Sequence, residues 1–90
     1  MVKHLNIKVY GRVQGVFFRA HAIEVAIGLG IKGITRNEKD GSVYIEAEGE
    51  EDKLKKFIDW CYTGPPRASV ERVTTEEADV KNYLNYVMER

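Results

Sequence analysis

Arg19 closes a stretch, Gly11 to Arg19 (GRVQGVFFR), that contains no Asp, Glu, Cys, Ser or Thr. Such a stretch offers no nucleophile, no general base and no metal ligand. It offers backbone N–H groups, two glycines and two guanidiniums, Arg12 at its start and Arg19 at its far end. Gly11 and Gly15 give the chain the freedom to curl its N–H groups to one side. A helix beginning there would add its own unpaired donors, which favour an anion. The Arg19 guanidinium is a planar fork suited to two phosphate oxygens at once. The chemistry within reach is the capture of a phosphoryl group. A plain tight turn followed by a solvated arginine would use the same residues, and the Gly-x-x-x-x-Gly-Lys-Ser/Thr order of a nucleotide-hydrolysing loop is missing.

Other residues with chemical potential have simpler readings. Asn37 opens the turn Asn37–Ser42 (NEKDGS) and taken alone is ordinary turn chemistry. His4, on the polar face of a strand, and His21, on a helix, read as surface or packing residues. Cys61 reads as a small core residue, and Phe57, Trp60 and Tyr62 as the core or its margin. Glu46, Glu48, Glu50, Glu51 and Asp52 read as solvated strand positions and a helix start. No metal site and no cofactor is expected.

The elements that must position Arg19 and Asn37 follow from periodicity. Leu5, Ile7 and Val9 alternate with Asn6, Lys8 and Tyr10, the period of a half-buried strand. Phe18, Ala22, Val25, Ala26 and Leu29 recur at helical steps, and Gly30 suits the helix end. Ile31–Asn37 reads as a second strand, and Asp40-Gly41 as a hairpin turn into a third carrying Val43, Ile45 and Ala47. Acidic residues 50–52 open a second helix with Leu54, Phe57, Ile58 and Cys61 inward, halted at Thr63-Gly64-Pro65-Pro66. Ala68, Val70 and Val73 suggest a fourth, bulged strand. A polar stretch, Thr74 to Asn82, then separates it from a possible short terminal strand in YLNYVMER.

The order β-α-β-β-α-β describes an α+β sandwich of the ferredoxin-like type, two helices on one face of an antiparallel sheet. In that topology the connector after the first strand and the turn after the second lie at one edge of the sheet. Arg19 and Asn37 would meet there. The fold itself settles no activity.

Composition narrows the function classes. Fourteen basic and fourteen acidic residues cancel, which disfavours a nucleic-acid partner. No apolar run reaches the ~20 residues of a membrane helix. The single cysteine leaves no internal disulfide, so a reducing, cytoplasmic setting and a monomeric single domain over residues 1–90 are expected.

GRVQGVFFR resembles the signature of the acylphosphatase family, NEKDGSV (Asn37–Val43) is similar to its second signature, and GPPRASV (Gly64–Val70) to its Gly-Pro-Pro segment. The matches stay in register from about residue 5 to residue 73. Thr74 to Arg90 departs from the aromatic-x-isoleucine terminal strand expected of the family. The resemblance implies hydrolysis of small-molecule acyl phosphates to a carboxylate and inorganic phosphate. Arg19 and main-chain N–H groups of Gln14, Gly15, Val16, Phe17, Phe18 and Arg19 would hold the phosphoryl group, and Asn37 the attacking water. Two other readings are a non-catalytic anion-binding domain of the same fold and a carbamoyl-phosphate-handling domain like those of hydrogenase-maturation proteins. Retention of both Arg19 and Asn37 argues against the first.

Overall fold

A computed structural model describes residues 1–89. Its elements are β1 (Val2–Arg12), α1 (Phe18–Gly28), β2 (Lys32–Asn37), β3 (Val43–Glu50), α2 (Glu51–Thr63), β4 (Ser69–Ala78) and β5 (Tyr86–Met88). The sheet order is β4-β1-β3-β2-β5. β3 runs antiparallel between β1 and β2, with Ile7 opposite Ile45 and Thr35 also opposite Ile45. The first four strands thus have the expected antiparallel ferredoxin-like arrangement. The short extra strand exists as well, but β5 pairs parallel with β2, so the complete sheet is mixed.

One core lies between the helices and the sheet. Ile7, Val9, Val43, Ile45 and Ala47 point from the strands toward Phe18, Ala22 and Ala26 of α1 and Leu54, Phe57 and Cys61 of α2. Period two on the strands and period three to four on the helices converge on the same interior. Trp60 tilts against Phe18, ring centroids 5.1 Å apart, and stacks on Phe57. Burial pushes the Cys61 thiol up to about 12, as a small apolar-packed core group requires. The expected bulge is present: Tyr10 faces Arg72 and Gly11 faces Val70, so Glu71 is the extra residue. Gly11 serves this crossing, because a Cβ there would lie 2.2 Å from the Ser69 carbonyl.

Two expectations need correction. The polar stretch after Val73 does not separate two strands at once, since β4 continues through Thr74 to Ala78 along β1. Glu46 and Glu48, expected to be solvated, are 6% and 5% exposed, and His4 takes the packing role of its two readings, fully buried beside them. The cause is the segment after β4, which crosses the sheet face away from the helices. The N–H groups of Lys81 and Tyr83 donate to the Glu48 carboxylate. Lys81 Nζ and Tyr83 OH donate to Glu46 Oε1 at 2.7 and 2.8 Å, and Tyr44 OH to Glu46 Oε2 at 2.9 Å. His4 lies between the two carboxylates, its Nδ1 2.7 Å from Glu48 and its Nε2 3.3 Å from Glu46, with the Tyr83 ring stacked on it. Burial alone would raise the Glu46 carboxyl, but the hydrogen bonds from Lys81, Tyr83 and Tyr44 outweigh it and hold the group down at about 2.

Candidate active site

The connector after β1 turns at Gly15, φ +73°, and again at Phe17, φ +64°, before α1 begins at Phe18. A Cβ on Gly15 would meet nothing within 4 Å, so it is the left-handed backbone, not crowding, that favours glycine there. Phe17 caps α1 without a side-chain hydrogen bond, and the first helical bond runs from His21 N–H to the Phe17 carbonyl at 3.1 Å. The N–H groups of Phe18, Arg19 and Ala20 therefore precede the helical ladder and face outward at the positive end of the helix. His21 is exposed and its Nδ1–H donates to the same Phe17 carbonyl at 2.9 Å.

β2 delivers Asn37 to the same place. A cavity of about 330 Å³ is lined by Val13, Gly15, Phe17, Phe18, Arg19, Ala20, Asn37 and Met88. Arg19 and Asn37 thus meet at the end of the sheet where β1 and β2 finish, as the topology requires. The Asn37 Oδ1 is buried and accepts no hydrogen bond among the described residues. Leaving such an oxygen unpaired costs about 1–3 kcal/mol. Because Asn37 lines the cavity, this acceptor is available to a water or ligand held there.

The remaining loop residues divide by role. Val16 is buried in the core with Val13. Gln14 turns away from the cavity: its Nε2 donates to the Glu38 carbonyl at 2.7 Å and the Ser42 carbonyl at 2.9 Å, tying the loop to the turn that follows Asn37. The turn is tightened further by the Asp40 carboxylate, which accepts from the Ser42 hydroxyl and N–H. Those bonds, with the Lys8 ammonium at 3.1 Å, hold the Asp40 carboxyl down at about 2.

β5 supplies what sequence reasoning missed. Arg19 Nη1 donates to the Glu89 carbonyl at 3.2 Å, and Met88 forms part of the cavity wall. Glu89 is itself anchored, its N–H donating to the Thr35 carbonyl at 2.8 Å and its carboxylate meeting Arg36 at 3.4 Å. The hydroxyls of Tyr86 and Thr35 bond to each other beneath this strand. Among the described residues no cluster of three metal-ligating side chains occurs.

Fold and site together define a small ferredoxin-like domain in which a loop, a helix N-terminus and one arginine border a single small cavity. Comparison with known proteins gives that class its family. The acylphosphatase family model matches residues 5–86. An acylphosphatase from Thermotoga petrophila is 44% identical over 87 residues, 97% of each chain. One from Archaeoglobus fulgidus is 48% identical over 82 residues, 91% of this chain and 92% of that one. The solved structure of a Coxiella burnetii acylphosphatase superposes with a TM-score of 0.95 at 34% identity, covering 98% of this chain and 93% of that one. The chain belongs to the acylphosphatase family, and its enzyme class is that of an acylphosphatase hydrolase.

Proposed function

We propose that the cavity between the Gly15–Arg19 loop and Asn37 is the catalytic centre for hydrolysis of the carboxyl–phosphate bond. Arg19 and the loop N–H groups of residues 14–19 hold the phosphoryl oxygens, and Asn37 orients the attacking water. The observation that carries this reading is the meeting of Arg19 and Asn37, from separate segments, on one small cavity at a helix N-terminus.

The economy of the site suits the substrate. An acyl phosphate is a mixed anhydride whose leaving group is a carboxylate, and carboxylic acids ionise near pH ~4. That group departs as a stable anion without a general acid. Phosphoryl transfer passes through a loose transition state, so the water requires orientation more than deprotonation. What remains is charge stabilisation on the phosphoryl oxygens and in-line placement, which donors and one amide can supply. Phosphate monoesters, with far more basic leaving groups, should be poor substrates. We take the domain to act on its own as a monomer in the cytoplasm. Its only thiol, Cys61, is buried and cannot bridge to a second chain, and no described helix is long and apolar enough to cross a membrane.

The test is kinetic, with benzoyl phosphate as substrate and inorganic phosphate as competitive inhibitor. Arg19→Lys keeps the charge but not the fork and should lose nearly all turnover; half of the original activity surviving would remove Arg19 from the mechanism. Asn37→Ala should lower kcat by on the order of a hundredfold while phosphate inhibition persists. A thermally weakened but fully active Asn37→Ala protein would reduce Asn37 to a turn residue.

A further inference from the structure

We infer that the side chains of Phe17 and Met88 form an apolar clamp for the acyl group, so that the enzyme favours substrates with an aryl or bulky alkyl acyl moiety over acetyl phosphate. This rests on the catalytic reading of the same cavity and specifies which acyl phosphates it takes.

Phe17 carries two costs at once. It holds φ +64°, a left-handed conformation that an aromatic L-residue seldom adopts. The residue is also 68% exposed, although folding normally removes such apolar surface from water. The neighbouring Val16 and Phe18 are buried, at 4% and 1% exposure, so the left-handed twist is what turns the Phe17 ring out of the core. Local strain held by a well-determined surrounding structure is characteristic of ligand sites. Here the surroundings are determined on both sides, by Phe18 in the core and by the Gln14 bonds to the following turn.

Met88 reaches the same cavity from β5 and is 41% exposed. A thioether on a flexible unbranched chain moulds itself to differently shaped apolar groups. Arg19, Asn37 and the helix N-terminus supply the polar groups of the cavity, to which the proposed function assigns the phosphoryl group. Phe17 and Met88 are the exposed apolar side chains in the same lining. A volume of about 330 Å³ is near the lower limit of small-molecule pockets, room for a small acyl phosphate rather than a phosphorylated macromolecule.

The experiment compares kcat/KM for benzoyl phosphate and acetyl phosphate in the unmodified protein, Met88→Ala, Met88→Leu and Phe17→Asn, with inhibition by inorganic phosphate measured in each. Asparagine at 17 tolerates the left-handed backbone and removes the ring. The benzoyl-to-acetyl ratio should fall about five- to tenfold in Met88→Ala and Phe17→Asn, less than a closed hydrophobic pocket would impose because both side chains remain partly exposed to water. Met88→Leu should restore the ratio, and phosphate inhibition of Met88→Ala should stay within twofold. A ratio that does not move overturns the clamp and leaves the catalytic reading standing. A ratio that moves only together with weakened phosphate inhibition also overturns it, since Met88 would then act through the Glu89–Arg19 contact. Failure of the unmodified protein to hydrolyse either substrate overturns the catalytic reading itself.

Discussion

Replacing Glu46 by glutamine isolates the ionic contribution of the buried outer face. The carboxylate accepts hydrogen bonds from Lys81, Tyr83 and Tyr44, and its side chain is only 8% exposed. Its ordinary value of 4.5 is lowered to about 2 in the folded chain. A depressed carboxyl stabilises the fold above its unfolded value and loses that contribution as pH falls toward the folded one. The difference corresponds to roughly 3 kcal/mol, fully present at pH 6–7 and lost progressively between about 4.5 and 2. Glutamine is neutral throughout and imitates the protonated acid. Urea unfolding, followed through Trp60 fluorescence, should therefore separate the two proteins by about 3 kcal/mol at pH 7, and the gap should close as pH approaches 2. An equal gap at pH 7 and pH 3 would refute the reasoning, because the loss would then come from packing rather than ionisation.

Gln14→Ala removes the donor shared by the Glu38 and Ser42 carbonyls. It should cost about 1–2 kcal/mol, lowering Tm by roughly 5–10 °C. kcat should fall with it, since Asn37 sits at the start of that turn; unchanged Tm and kcat would dismiss the brace. Cys61, buried with its thiol raised to about 12, should resist a disulfide reagent in the native protein and react promptly in urea; rapid native labelling would contradict its placement. Turnover should survive excess chelator, because the proposed phosphate donors are a guanidinium and backbone N–H groups. Activity lost to chelator and restored by Mg²⁺ would count against that arrangement.

The parts of the fold that were legible are those with local periodicity. Leu5, Ile7 and Val9 announce β1, and Leu54, Phe57 and Cys61 announce α2, because one buried face imposes a rhythm on the chain. The slip between Val70 and Val73 even revealed the bulge. Parity also separated His4, Glu46 and Glu48 from the helix-facing residues, but it cannot say what lies over the opposite face. Their burial depends on Lys81 and Tyr83, which are far away in sequence and carry no periodic mark. β4 beyond Val73 was missed because its residues there are almost all exposed, leaving no alternation to read. That Arg19 and Asn37 lie on one cavity followed from topology. The place of Met88 was not legible, since a three-residue parallel strand has no local signature to fix its register.

The cavity draws on Val13, Gly15 and Phe17 to Ala20, on Asn37 and on Met88, with Glu89 holding Arg19. No pair of adjacent elements carries all of it. The β2–β3 hairpin alone would present Asn37 to solvent, and α1 alone would present an arginine with nothing opposite. Bringing Glu89 to Arg19 closes a loop of some seventy residues, whose entropy must be lost before the contact forms. Catalytic competence therefore arrives with the most distant pairings rather than with helix formation. In a refolding experiment, returning turnover marks completion of the sheet, where far-ultraviolet circular dichroism marks only the appearance of its parts.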